Sequence, residues 1–191
     1  MFNIKSGEII PAAVQYRIDA AGDIYVSFNI NANMYAKHLQ RAGIELILPE
    51  GFDNLEYFGR GEIENYCDRK ACAKLAVYES TVDKQNFAFS PPSENGGHED
   101  TRWVVLKNGS GASVKIEGVK PFHFDAHHYS IEACKNAKHD HEIAKCKETV
   151  LHIDAAHGPI GGNMAWSTQI PQDLALKGGY YTLDFRMTLE N

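Results

Sequence analysis

No apolar run in the 191 residues approaches the ~20 that a membrane-spanning helix needs, so no membrane partner is expected. Basic residues are in the minority, 19 against 25 acidic ones, for a net charge of −6. A nucleic-acid surface needs the opposite sign. Cysteine is scarce, with only Cys67, Cys72, Cys134 and Cys146. Neither separation within these two pairs is that of a zinc site, and four thiols in this length do not make a disulfide scaffold. They are expected to be reduced. Missing too are the G-x-S-x-G elbow, the H-E-x-x-H zinc signature and any Gly-Lys-Ser/Thr phosphate loop, and Gly158, Gly161 and Gly162 do not complete G-x-G-x-x-G. The first residues, "MFNIKSGEII", have neither the charged region nor the apolar stretch of a signal peptide. The compartment, cytoplasmic or periplasmic, is therefore left open. Tryptophan occurs twice, at Trp103 and Trp166.

What remains is an ordinary globular composition, 43% hydrophobic and 23% charged, in a length that suits one domain over residues 1–191. Strand signals dominate. Val14, Tyr16 and Ile18 alternate with polar residues, as do Ile24, Val26, Phe28 and Ile30, and "AAGD" between them reads as a hairpin turn. "GIELILPEG" alternates and stops at Pro49 and Gly51, and "RWVVLKNGSGASVKIEGV" forms two β-rich arms around Asn108–Gly111. "TVLHID" follows, and the closing "GGYYTLDFRMTL" places Tyr181, Leu183, Phe185, Met187 and Leu189 on one face. One stretch departs from period two. Ser130 is a candidate N-cap, and Ile131, Cys134 and Ala137 have helical spacing, which predicts a short helix from Ser130 to His139. The sum is an all-β antiparallel sandwich carrying one helix. The connections 49–75 and 79–100 read as long irregular loops, which on a sandwich are usually binding or docking surfaces.

Eight of the nine histidines fall between His98 and His157. His139 and His141 are two apart and His127 and His128 adjacent, so neither pair converges locally on a metal. Carboxylate pairs are the group to weigh for sugar chemistry, because glycoside hydrolysis needs two on opposite sides of one bond. Glu62 with Glu64, or Glu94 with Asp100, offer themselves, but loop carboxylates more often accept backbone N–H bonds or pair with cations such as Arg60, Arg69 or Arg102. Trp103, inside "RWVVL", is expected in the core. Trp166 follows Gly161–Gly162 and precedes Ser167–Thr168. That setting can hold an indole face out toward the apolar side of a pyranose.

Taken in order, "EYFGRGEIENYCDRK", "PPSENGGHEDTRW", "FHFDAHHYSIEACKNAKHDHEI", "VLHIDAAHGPIGGNMAW" and "GYYTLDF" resemble the C-terminal small-chain domain, the fifth domain, of glycoside hydrolase family 2 β-galactosidases. The resemblance covers about residues 12 to 189. It implies a large supersandwich of the galactose-mutarotase-like kind, truncated by about its N-terminal third. It implies retaining hydrolysis of terminal β-D-galactosides by two glutamates that belong to a separate (β/α)8 barrel, leaving no catalytic residue and no cofactor in this chain. Any mono- or divalent cation would belong to that barrel. Trp166 matches the tryptophan that stacks on the sugar, with Asn163 and His157 as further substrate-binding candidates. The expected partners are the barrel, the other domains, a galactoside, and further copies in an oligomer. Asn163 stands where the family usually has aspartate, Ala165 where it has serine, Glu62 where it has proline and Pro159 where it has glycine. Two alternatives belong to other classes: a freestanding carbohydrate-binding module, and a scaffold for oligomer assembly acting through the 57–69 segment.

Overall fold

The computed structural model describes residues 2–3, 9–33, 39–160 and 173–190. Strands β1 (Phe2–Asn3) and β2 (Ile9–Ile10) form a separate ribbon. Nine further strands join in one antiparallel network: β3 (Ala12–Ile18), β4 (Ile24–Asn31), β5 (Arg41–Leu48), β6 (Asn54–Gly61), β7 (Lys74–Thr81), β8 (His98–Lys107), β9 (Ser113–His127), β10 (Thr149–His157) and β11 (Tyr180–Glu190). The main path runs β3-β4-β11-β9-β8-β6-β7, while β10 branches from β9 and carries β5. The expected all-β architecture is what the chain adopts.

The branch arises because β9 serves two neighbours in succession. Its first half, Ser113–Gly118, pairs with β11, and its second half, His123–His127, pairs with β10. Between them the register against β8 shifts, from Trp103↔Glu117 to Thr101↔Phe122, and Val119 is thrown out to 76% exposure. A strand displaced in this way bends and leaves its original layer. The inner faces of the two arms then share a single core. Val26, Phe28 and Ile30 come from β4, Leu183 and Phe185 from β11, Phe122 and Phe124 from β9, and Leu151 and Ile153 from β10. The period-two burial of β4 follows its sequence pattern.

Several expectations are revised. The segments 49–75 and 79–100 contain β6, β7 and the start of β8 rather than loop alone, and the 57–69 segment begins in strand β6, which ends at Gly61. The helix, α1 (Ile131–Asn136), is shorter than the Ser130–His139 expected, although Ser130 caps it by accepting from Ala133 N at 3.2 Å. Trp103 is not in the core. It lies on the outer face, tilted against Phe58 at 6.5 Å with the Lys115 ammonium 5.7 Å from its ring centre. The inner positions that follow it on the strand belong to Val104 and Leu106. All four cysteines are free thiols, as expected.

Leu151 is fully buried and Ile47, on the neighbouring strand, is 64% exposed. Leu151→Ala is expected to cost about 2–5 kcal/mol, lowering the midpoint of thermal unfolding by roughly 5–15 °C. Ile47→Ala should leave it within about 2 °C by calorimetry. Equal shifts would contradict the assignment of the core.

Candidate functional site

The stretches "HFDAH" and "LHID" alternate polar and apolar residues, so when β9 and β10 pair, their polar side chains share the face opposite the core. Register sets His152 opposite Asp125 and Asp154 opposite His123. On the other side of β10, Glu45 faces His152, Gly43 faces Asp154 and Arg41 faces His157. All these β9 and β10 side chains are buried. The face is covered by the 86–97 segment, whose Asn95 carbonyl accepts from His127 Nε2 at 2.9 Å.

Arg41 organises the cluster. One guanidinium nitrogen donates to Asp125 Oδ2 at 2.5 Å and to Asp154 Oδ2 at 2.6 Å, and Nε donates to both oxygens of Asp154. Gly43 makes room: a Cβ there would sit 2.2 Å from both Asp154 Oδ1 and the Ile153 carbonyl. Burial alone would push the Asp125 carboxyl up, but Arg41 and His152 outweigh it and hold it well below the usual carboxylate range. His152 bonds Asp125 at 2.7 Å and Glu45 at 3.1 Å. Burial lowers its basicity, and the Asp125 charge more than restores it, so the ring is held protonated above its ordinary range.

A second pair closes the end of β10. His157, its side chain 1% exposed, meets Glu94 at 3.2 Å through Nε2 and the Gly158 carbonyl at 2.8 Å through Nδ1. Desolvation disfavours both charges, yet the mutual hydrogen bond prevails, raising His157 and lowering Glu94. His123 stacks on His157 at 4.6 Å and bonds Glu99 at 3.0 Å, and Tyr66 lies against both rings.

His123, Asp125 and Asp154 bring potential metal-ligand atoms within 4.8 Å of one another. The donor set fits a metal poorly. Arg41 already supplies the positive charge between the two carboxylates, and a divalent ion would have to displace or repel it.

Three of the four carboxylates in the candidate dyads are absorbed into structural pairs, while Glu62 is exposed to solvent. Glu64 bonds Arg69 and accepts from Gly96 N at 2.8 Å. Asp100 is held by Arg60, and Glu94 by His157. Of the sugar-binding candidates, Trp166 and Asn163 lie outside the described residues. His157 is buried at the stem of the segment that carries them. Both ends of that stem are tied to one short stretch: Gly158 N donates to the Gln40 carbonyl at 2.7 Å, and Leu39 N donates to the Leu176 carbonyl at 2.8 Å. Sequence reasoning missed the role of Arg41, and it sought metal sites among near neighbours in the chain. The alternation in "HFDAH" and "LHID" was the available signal.

The signs of these shifts define a pH window. The contributions of protonated His152 and His157 are complete below about pH 6.5 and are lost as pH rises through their raised folded values. Those of Glu94 and Asp125 are present above about pH 4 and are lost as pH falls. His98, which burial pushes down to about 3, and His127, also lowered by burial, stay neutral in the fold. Both therefore destabilise it once the unfolded chain takes up protons below about pH 6.5. Stability should peak near pH 6.5. Glu94→Gln is expected to cost about 2 kcal/mol at pH 6, roughly 4–8 °C in midpoint, and clearly less once the pH has risen past the raised folded value of His157, where the ring is neutral in either state. An equal loss in both ranges would contradict the ionic pairing.

A sequence model described as beta galactosidase small chain matches residues 2–189. The chain is 33% identical over 177 residues to a β-galactosidase of Vibrio cholerae, an alignment covering 92% of this chain and 16% of that protein. It is 29% identical over 178 residues to one of Streptococcus thermophilus, covering 92% and 17%. A β-galactosidase of Bifidobacterium adolescentis is 32% identical over 168 residues, covering 85% and 16%. The chain thus spans about one sixth of the length of the curated relatives it matches.

Proposed function

The chain belongs to the β-galactosidase small-chain family, and from that premise we propose that it is the accessory domain of a β-galactosidase, gripping a sugar that another domain cleaves. In this reading Trp166 stacks its indole on the apolar face of a terminal β-D-galactoside and Asn163 bonds the sugar's hydroxyls. His157, buried in the stem, anchors it through Glu94. Cleavage with retention falls to two glutamates of a (β/α)8 barrel elsewhere in the longer protein.

The observation that carries the reading is the fate of the polar groups. Glu64, Glu94, Asp100, Asp125 and Asp154 are each committed to an arginine or histidine. A glycosidase acid must release a proton to the leaving oxygen, and its nucleophile must be free to attack. Carboxylates locked by neighbouring cations are suited to neither task. They are suited to rigidity, and a rigid stem is what an aromatic platform requires.

Two measurements test this. The isolated chain, freed of host enzyme, should not turn over a chromogenic β-galactoside, and robust turnover would refute the division of labour. In the full-length protein, Trp166→Ala removes a contact worth on the order of 1–2 kcal/mol, so KM should rise roughly five- to thirty-fold with the melting transition unchanged. Unaltered kinetics would end the platform assignment. Micromolar galactose binding by the chain alone would favour a freestanding carbohydrate-binding module instead.

A further inference from the structure

His127, the last residue of β9, is 6% exposed, and among the described residues its side chain makes a single hydrogen bond, from Nε2 to the Asn95 carbonyl at 2.9 Å. A carbonyl only accepts, so Nε2 carries the proton. Burial keeps the ring neutral, leaving Nδ1 as a bare acceptor. Nδ1 is buried and has no hydrogen-bond partner among the described residues. The ring is held from both sides: it stacks on Tyr129 at 4.6 Å, and a Cβ on Gly96 would meet its Cε1 at 2.9 Å. It cannot turn away to find a partner. Beside it lies a cavity of about 20 Å³, lined by His127 together with Arg41, Asp125, His152, Glu94 and Tyr129.

We propose that this cavity is a binding site for one neutral, hydrogen-donating molecule of the size of water, held on the Nδ1 lone pair of His127. The volume exceeds the roughly 10–15 Å³ that one water requires and is far too small for a sugar. The occupant must donate, because Nδ1 can only accept. A cation would face the Arg41 guanidinium and the protonated His152. An anion would face Asp125 and Glu94 and would bring no proton for Nδ1. Water meets every condition: it donates to Nδ1 and to a carboxylate, and accepts from a cationic N–H. Held there, it joins β9 to β5 and to the segment bearing Glu94. His123 supplies the contrast. Its Nε2 is also buried and unpartnered among the described residues, but a Cβ on Gly97 would lie 2.7 Å from it. Backbone, not space, fills that side.

The test is a high-resolution crystal structure of the 191-residue chain, paired with long-range ¹H–¹⁵N spectra of its histidines. The expected result is one solvent peak at roughly 2.7–3.2 Å from His127 Nδ1, with the proton on Nε2 in the spectra. His127→Phe, which keeps a ring and removes the acceptor, should lose the peak. Several results would overturn the proposal: a protein donor on Nδ1, a proton on Nδ1, persistence of the peak in the phenylalanine variant, or an anomalous peak in the cavity after a rubidium soak. The spectra of the unaltered chain decide the matter if the variant does not fold.

Discussion

A single guanidinium shared by two buried carboxylates is the constraint from which the rest of the structure follows. Asp125 and Asp154 project from adjacent strands onto the same face, and neither is exposed to water. Two such charges at close quarters cannot both persist without a counter-ion. Arg41 supplies it from a third strand, and in doing so links β5, β10 and β9 across the side of the sheet that the hydrophobic core does not reach. Buried ion pairs are poor sources of net stability compared with apolar packing, but breaking one strands a charge. Their effect is to forbid alternatives. Strand β5 cannot slip in register without abandoning Asp154, and β9 cannot straighten without withdrawing Asp125.

From that lock the neighbouring groups take their states. Asp125, kept ionised, holds His152 protonated. The stretch leading into β5, residues 39–40, is fixed beside Arg41 and fastens both ends of the segment between Gly158 and Leu176. Glu94 and His157 add a second ionic tie at the same place. The polar face of β9 and β10 is therefore a platform whose charges are mutually satisfied. That is unsuited to proton transfer and well suited to presenting another residue, in keeping with the reading of the chain as the sugar-gripping part of a larger galactosidase.

Much of the framework was legible in the amino-acid order. The alternation marks the core face of β4 and of β11 as far as Met187, beyond which Leu189 is exposed, and Ser130 announces the helix it caps. Strand β6 was hidden because Gly59 and Gly61 dilute its pattern, and glycine is disfavoured in strands unless something approaches closely. Here something does: a Cβ on Gly59 would lie 2.5 Å from Thr101 Oγ1. Trp103 was assigned inward by composition, whereas the register of β8 with β6 and β9 places it outward beside Phe58. The polar cluster was the least legible feature. Arg41 stands 84 residues from Asp125 and 113 from Asp154, so no local spacing connects them, and only the strand pairing does. Trp166, which lies outside the described residues, was singled out first by its setting in "GGNMAWST", and the resemblance then matched it to a sugar-stacking tryptophan.

A double-mutant cycle between Arg41 and Asp154 tests the central claim most directly. Unfolding by denaturant would be followed for the chain, for Arg41→Met, for Asp154→Asn and for the combination. If the guanidinium is the counter-ion that the buried carboxylates require, Arg41→Met alone should cost about 3–5 kcal/mol. The double variant should then be more stable than the sum of the two losses by at least 1 kcal/mol or so. Losses that are small and simply additive would contradict the account.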